Sequence, residues 1–389
     1  MNAVNGKVGN VQLMQKINRL KVLSCIRKNP FIVRPAVSEQ TGLSLASITN
    51  IVSFLIDNGL VAETGFENAD RIGRKAVLLK FCPQARNLIC VLITERRIRV
   101  SLTDLSGSEI KSISSEFAFQ TSKEALSVIE DAIERLLSES ERDKVLAIGV
   151  AVSAFVLPDG TVAVSSKLRW DRADLKSDLC EKFSLPVFVV DTSVARGHYC
   201  NEHIENENEN SVLFLDLSDG VGAVHFYSGH QNLSVLGQIG HTTVEKDGDE
   251  CFCGNRGCLE IMCSLERADE QYRKSKKGSH FESVIKGLEN GEKTATELLK
   301  RSGKYLGIGM ANAINVLNPQ RVIINAGQFK NCDEVLNWAI EEARMRVFSA
   351  ISDNTEFMIT DISDSMLTEG VAQCLCEHIF DVDFDGNIF

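Results

Sequence analysis

Apolar residues near the start of the chain recur at helical spacing. Leu13, Ile17, Leu20, Leu23 and Ile26 fall three or four positions apart, which places them on one face of a helix. Asn29-Pro30 stops that helix, because a proline pushes the residue before it out of helical backbone. A short helix over 34–40 follows, with Val37 inward. Thr41-Gly42-Leu43-Ser44 reads as a tight turn. Gly42 suits left-handed backbone there, and Ser44 is placed to cap the next helix. That helix, 45–58, turns Ile48, Val52 and Leu55 inward and carries Ser47, Thr49, Asn50 and Ser53 elsewhere. Two β-like runs, 60–64 and 76–81, flank a polar loop that contains Arg71, Gly73, Arg74 and Lys75.

Beyond residue 82 the pattern changes. Apolar runs of strand length lie at 88–93, 99–103, 145–152, 186–190, 212–217 and 322–325, and helical stretches such as 123–138 and 295–317 lie between them. This alternation predicts an α/β arrangement. At 389 residues the chain is long enough for two or three domains. No apolar run approaches the roughly 18 residues that a membrane span needs, and residues 1–9 have no apolar segment of signal-peptide type. We expect a cytoplasmic protein with no membrane partner. The twelve cysteines then read as reduced, and most of them as small buried hydrophobes.

Charge separates the two parts. The chain carries a net −11, yet residues 1–80 hold eleven Lys and Arg against five Asp and Glu, a surplus of six positive charges. A basic head on an acidic body suggests that only the head meets a polyanion. Helix, glycine turn and helix, followed by a hairpin, is the helix-turn-helix pattern with a wing. The expected partner is double-stranded DNA, with Ser44, Leu45, Ser47, Thr49 and Asn50 at the major groove and Arg71, Arg74 and Lys75 on phosphate or in a minor groove. Asn50 could pair with an adenine edge. The second helix has no Lys or Arg of its own; a helical protein-interaction domain is the alternative.

One short window carries metal chemistry. Gly237-Gln238-Ile239-Gly240-His241 is followed by Cys251-Phe252-Cys253-Gly254-Asn255-Arg256-Gly257-Cys258. His241, Cys251, Cys253 and Cys258 form the Cys₃His set of a closed structural zinc site, with no open position for a catalytic water. The glycines of the linker let the chain fold back on itself. Cys263 is left as a spare thiol or a core residue.

These residues make the chain resemble the ROK family of repressors, open reading frames and sugar kinases, in its transcriptional-regulator branch. Gly9-Asn10 with Ile17-Asn18-Arg19, the window 237–260 ending in Cys258-Leu259-Glu260, and Leu306-Gly307-Ile308 through Asn315-Val316-Leu317-Asn318-Pro319 carry the likeness. The resemblance implies an actin-like (ribonuclease-H-like) two-lobed body of sugar-kinase type behind the winged helix-turn-helix. It also implies zinc at the four residues above, a sugar-type ligand in the cleft, and a homodimer or homotetramer. The expected divisions are 1–82 for the head, 83–195 with a C-terminal helix 372–389 for the first lobe, and 196–371 for the second lobe with the zinc site.

The likeness fails where the family's kinases hold ATP. Their Asp-x-Gly-Gly-Thr turn corresponds here to Leu92-Ile93-Thr94-Glu95-Arg96, with both glycines gone. Their second phosphate turn is Ser218-Asp219-Gly220-Val221-Gly222, which gains a carboxylate, and the late turn is thinned to Asn325-Ala326-Gly327. Backbone N–H groups at glycines are what cradle phosphate. Counting from Pro186, Asp191 takes the place of the kinases' Asn and Thr192 that of the general base; a shift of one residue would return Asp191 to the base position. No catalytic residue is expected. The sugar pocket that the resemblance implies would use Lys167, Asp191, Gln238, His241 and Glu260, with Gln238 in place of the kinases' Glu and Lys167 in place of their Asn. Two readings follow. In one, the pocket is retuned for an acidic or phosphorylated sugar, held by Lys167 and Arg169; in the other it has decayed. The expected function is a DNA-binding repressor of carbohydrate-utilisation genes under sugar or sugar-phosphate control. The alternatives are a ligand-independent or protein-partner-controlled regulator, and an active sugar kinase.

Overall fold

The computed structural model describes residues 11–66, 76–95, 97–116, 121–138, 142–203, 211–227, 230–231, 238–276, 283–381, 384 and 388–389. The head consists of α1 (Val11–Lys28), β1 (Ile32–Val33), α2 (Arg34–Thr41), α3 (Leu45–Asp57), β2 (Val61–Phe66) and β3 (Val77–Phe81). Gly42 takes φ +69 in the turn, and the Ser44 side chain accepts from the Ser47 N–H as the cap of α3. Leu20, Val22, Leu23, Ile26, Val37, Ile48, Val52, Leu55 and Leu79 form the head's core. On α1 the buried face is shifted: Val22 is buried, whereas Leu13 and Ile17 are only half-covered, because the first turns project past α2 and α3. Strand β3 lies between β1 and β2.

The body comprises β4 (Asn87–Ile93), β5 (Arg97–Asp104), β6 (Glu109–Glu116), α4 (Ser122–Ser138), β7 (Val145–Val152), β8 (Phe155–Val156), β9 (Val162–Ser165), β10 (Trp170–Ala173), α5 (Leu175–Phe183), β11 (Val187–Asp191) and α6 (Thr192–His203). It continues with β12 (Ser211–Asp216), β13 (Gly222–Tyr227), β14 (His230–Gln231), α7 (Leu259–Cys263), α8 (Leu265–Ser275), α9 (Val284–Glu289), α10 (Lys293–Leu317), β15 (Arg321–Asn325), α11 (Asp333–Arg346), α12 (Ser349–Ser352), β16 (Glu356–Thr360) and α13 (Asp364–Ile379).

Two five-stranded sheets share one topology. In the first, β4-β5-β6 is an antiparallel meander, and β7 and then β11 extend it in parallel on the other side of β4. In the second, β12-β13-β14 is the meander, and β15 and then β16 extend it. Each sheet is covered on both faces, so its central strands are continuous apolar runs. Leu88, Cys90 and Leu92 face a core shared with Phe214, Phe226, α6 and α13, while Ile89, Val91 and Ile93 face α4 and α5. Leu213 and Leu215 face α10 and α11. Helices α6 and α13 thus lie between the two sheets. They approach closely at Gly370, where a Cβ would sit 2.0 Å from the Ala195 carbonyl oxygen.

The last helix differs from expectation. It starts at Asp364, capped by the Ser363 hydroxyl, and ends at Ile379, rather than covering 372–389. None of the described residues beyond Phe380 is helical, and the apolar ones among them belong to the core that includes the head. These residues return to the head instead. Phe380 meets Phe81 edge-on at 6.3 Å, Phe389 meets Phe54 of α3 at 5.5 Å, and Arg19 lies 3.5 Å over the Phe54 ring. Lys16 Nζ donates to the Phe384 carbonyl at 2.5 Å, and Phe384 and Ile388 are buried. The core of the head is therefore continuous with that between the sheets. Phe384→Ala empties a buried aromatic site at this junction and should cost about 3 kcal/mol. The measurement is a denaturant unfolding curve; an unchanged midpoint would show that the tail does not hold the head.

Candidate functional site: a polar cleft beside a thiol cluster

The first possible phosphate turn is closed on itself. The Thr94 N–H donates to the Arg97 carbonyl at 3.0 Å, which makes the β4–β5 connection a tight hairpin. Arg97 pairs with Asp364. The second turn, after β12, is filled by the chain's own carboxylates. Asp216 Oδ1 accepts from the Ser218 N–H at 3.1 Å, and Glu260 Oε2 accepts from the Val221 N–H at 3.1 Å. At Gly220 a Cβ would lie 2.4 Å from Glu260 Oε2, so only glycine admits this contact. Two N–H groups of the turn, those of Ser218 and Val221, are thus engaged, and the engaging groups are negative. Anion binding there would have to displace like charge.

One guanidinium organises the floor of the cleft. Arg196 of α6 donates to Asp216 Oδ2 at 2.7 Å and reaches Asp219 Oδ2 at 3.4 Å, with 7% of its side chain exposed. Asp216 also accepts from Asn325 Nδ2 at 2.8 Å, and that amide contacts Ser218 Oγ at 2.9 Å. Arg196, Asn325 and Ser218 together hold the Asp216 carboxyl below the usual carboxylate range despite its burial. Asp219 receives one further bond, from Ser153 Oγ at 2.6 Å. Ser153 follows β7 and Asp219 follows β12, so this bond ties one sheet to the other.

The residues expected at a sugar site surround this floor. Asp191 ends β11 and turns back to accept from the Ser193 N–H at 2.6 Å, at the start of α6. Burial pushes it up to about 7, and Asp216 adds to the rise while Ser193 and Arg196 oppose it. Thr192, at the kinases' base position in the unshifted count, is buried with Oγ1 3.5 Å from Ser153 Oγ. Lys167 lies in the β9–β10 connection, which Ser165 Oγ anchors to the Ser153 carbonyl at 2.6 Å. Its Nζ is 3.9 Å from Glu266 of α8, an exposed pair across the opening. Arg169 takes φ +55 in the same loop. Gln238 is exposed at the start of the turn that ends in His241, and Gly240 of that turn packs against Glu260. Arg196 carries no pattern that sequence reasoning could use: it stands alone in a run of small residues, Val194-Ala195-Arg196-Gly197, and its acids lie twenty or more positions away.

The thiol cluster adjoins the same turn. His241 Nδ1 lies 3.5 Å from Cys251 Sγ, and Cys253 Sγ lies 3.7 Å from Cys258 Sγ. All four donor atoms fall within 4.8 Å of one another. A disulfide would need about 2.0 Å between sulfurs. The four residues could therefore hold one metal ion. Gly257 makes the fold-back possible: φ is +64, and a Cβ there would meet the Glu245 carbonyl oxygen at 1.6 Å. Without a cation, burial and the adjoining sulfurs push the Cys258 thiol up to about 12. Cys263 is buried, contacts the Glu260 carbonyl and stays outside the cluster.

On the head, Ser44, Leu45, Ser47, Thr49 and Asn50 are all exposed on or beside α3. Arg71, Arg74 and Lys75 lie outside the described residues.

Two consequences are measurable. Arg196→Leu leaves Asp216 and Asp219 without their cation in a buried site, which should cost about 3–5 kcal/mol of stability at neutral pH; an unfolding curve that matches the parent would refute the role given to this residue. For Asp191, a folded-state value near 7 stands above an unfolded value of about 3.9. The folded chain then holds this proton more tightly, so its contribution to stability falls as pH rises from about 4 to about 7 and is level above. Asp191→Asn keeps the cap and removes the slope. Urea midpoints of the two proteins across that range should converge at the acid end and separate toward neutrality.

Residues 88–374 match the ROK family, and residues 15–62 match a winged helix-turn-helix DNA-binding domain. The xylose repressor of Bacillus subtilis (strain 168) is 25% identical over 382 residues, covering 96% of this chain and 99% of that protein. The DNA-binding transcriptional dual regulator NagC of Escherichia coli (strain K12) is 28% identical over 355 residues, 86% of each chain. Among solved structures, a ROK family transcriptional regulator described as a homologue of the E. coli MLC protein superposes with a TM-score of 0.79 at 21% identity, covering 93% of this chain and 96% of that one. A ROK family glucokinase from Streptomyces griseus, in complex with glucose and AMPPNP, superposes with a TM-score of 0.62 at 18% identity over 74% of this chain and 98% of its own. The two-lobed body is thus of sugar-kinase type. The chain belongs to the ROK family, and an N-terminal winged helix-turn-helix DNA-binding domain precedes its ROK body.

Proposed function

We propose that the protein is a transcriptional repressor of carbohydrate-utilisation genes, which binds operator DNA through its head and a sugar or sugar phosphate in its cleft. The observation that carries this reading is the pairing of a winged helix-turn-helix with a phosphate turn after β12 whose Ser218 and Val221 N–H groups are taken by Asp216 and Glu260. A body that keeps the sugar-kinase frame with its own carboxylates against the phosphate turn is suited to sensing. Relatives that match most of the chain are named xylose repressor and N-acetylglucosamine repressor.

In this reading Lys167, Asp191, Gln238 and Glu260 approach the ligand's hydroxyls or anionic group, and His241 borders them while serving the metal. Lys167, only loosely paired with Glu266, favours an acidic or phosphorylated sugar. The metal is zinc at His241, Cys251, Cys253 and Cys258. Tetrahedral zinc with Zn–S bonds of about 2.3 Å and Zn–N bonds of about 2.0 Å sets its sulfurs about 3.7 Å apart and its nitrogen about 3.5 Å from a sulfur. Two of the separations in the cluster match those values, and all four donors lie within 4.8 Å of one another. With four protein donors the ion is structural and fixes the turn that carries Gln238. Residues 1–82 act as the DNA-binding unit, Arg71, Arg74 and Lys75 contact phosphate, and two or four chains assemble on one operator. A cytoplasmic protein suits this role; no described helix is long and apolar enough to cross a membrane.

The test is thermal unfolding with a panel of neutral sugars, acidic sugars and sugar phosphates. At least one should raise the midpoint by mass action, and none should support ADP formation from ATP. No shift with any of them would defeat the sensing role, and sugar-dependent ATP turnover would establish a kinase. Cys258→Ser should release the ion and lower stability. Metal content by atomic emission reads this directly, and full retention of zinc by a folded variant would refute the ligand set.

A further inference from the structure

The DNA-facing side of α3 offers fewer hydrogen-bonding groups than its sequence suggests. Ser44 Oγ accepts from the Ser47 N–H at 3.2 Å and shares a 2.9 Å bond with Ser47 Oγ. Thr49 Oγ1 donates to the Leu45 carbonyl at 2.8 Å. Each of these three hydroxyls thus already makes one bond within the chain at the start of α3. Apolar surface is exposed in its first two turns at Leu45, 50% exposed, and Ala46, and Thr49 beside them is exposed too. Asn50 is exposed, and its amide has no partner among the described residues. The only charged residue of α3 is Asp57, at its far end.

We propose that α3 reads thymine C5-methyl groups through Leu45, Ala46 and Thr49, with Asn50 on the adjacent adenine. This rests on the head being a DNA-binding unit. Recognition helices of this type meet base edges with their N-terminal residues, where these side chains stand. The major-groove edge of guanine is usually read by Arg or Lys and the cytosine amine by a carboxylate; thymine is read by apolar contact and adenine by Asn or Gln. Helix α3 has the second pair of readers at its N-terminal end and neither of the first. Leu45 is half exposed in the free protein, an arrangement that contact with a methyl would bury. Specificity for A·T steps then comes from α3, and phosphate attraction from elsewhere on the basic head.

The full-length protein is used to select duplexes from a random pool, and the selected half-site is remade with deoxyuridine replacing thymine one position at a time. Uracil keeps the O4 acceptor and lacks the methyl, so hydrogen-bond readout is unchanged. Selection should yield an A·T half-site, and affinity should fall about fourfold for each contacted methyl removed. Leu45→Ala, at an exposed position that leaves the fold intact, should abolish the uracil effect at one position without altering the salt dependence. A G·C half-site, or a selected duplex bound equally well with uracil throughout, would overturn the proposal while leaving DNA binding in place. Failure to enrich any duplex would overturn both.

Discussion

A buried guanidinium must find its counter-charges, and Arg196 finds them in the strand end and turn that a kinase of this fold would lend to phosphate. The cost of holding an unpaired charge out of water is several kcal/mol, so Asp216 and Asp219 are fixed around it. Other placements follow. Asp216 draws in Asn325 and Ser218, Asp219 draws Ser153 across from the other sheet, and the turn so arranged presents Val221 to Glu260. Glu260 stands two residues beyond Cys258, so the thiol loop and the cleft floor share one framework. The two-lobed frame is shared with the family's kinases, and the turn after β12 is engaged by the chain's own carboxylates.

Arg196 also belongs to α6, the helix that packs on α13 between the sheets. From α13 the chain continues through Phe380, Phe384, Ile388 and Phe389 to the underside of α1 and α3. Helix α6 packs against α13, and the described residues after α13 pack against the head. The arrangement suits a rigid-body switch, because a close-packed interface such as that at Gly370 has discrete settings.

Much of this was legible in the sequence, for physical reasons that differ from part to part. Strand β7 was delimited to the residue because both faces of a central parallel strand are apolar, and its ends coincide with the end of hydrophobicity. Helix α3 was legible from its spacing and from Ser44, and the His/Cys cluster from four possible metal donors crowded into one glycine-rich window. Arg196 was not legible, since a lone cation in a helix reads as solvated until its distant acids are brought to it. The last helix was misplaced because its buried residues face two layers at once, which blurs the periodicity, and because the tail's apolar residues serve the head. On α3 the residues expected at bases are exposed, but the hydroxyls of Ser44, Ser47 and Thr49 bond within the chain, a matter of rotamers that no spacing reveals.

If the cleft and the head are joined through α6, α13 and the tail, ligand and DNA must bind with a common coupling free energy, and each must change the affinity of the other by the same factor. The decisive measurement is the affinity of the full-length protein for its cleft sugar, titrated calorimetrically with and without a saturating selected duplex. The account expects the two affinities to differ, and the reverse titration to differ by the same factor. Equal affinities for a sugar that binds in both states would contradict it, leaving a DNA-binding head and a sugar-binding body that ignore one another.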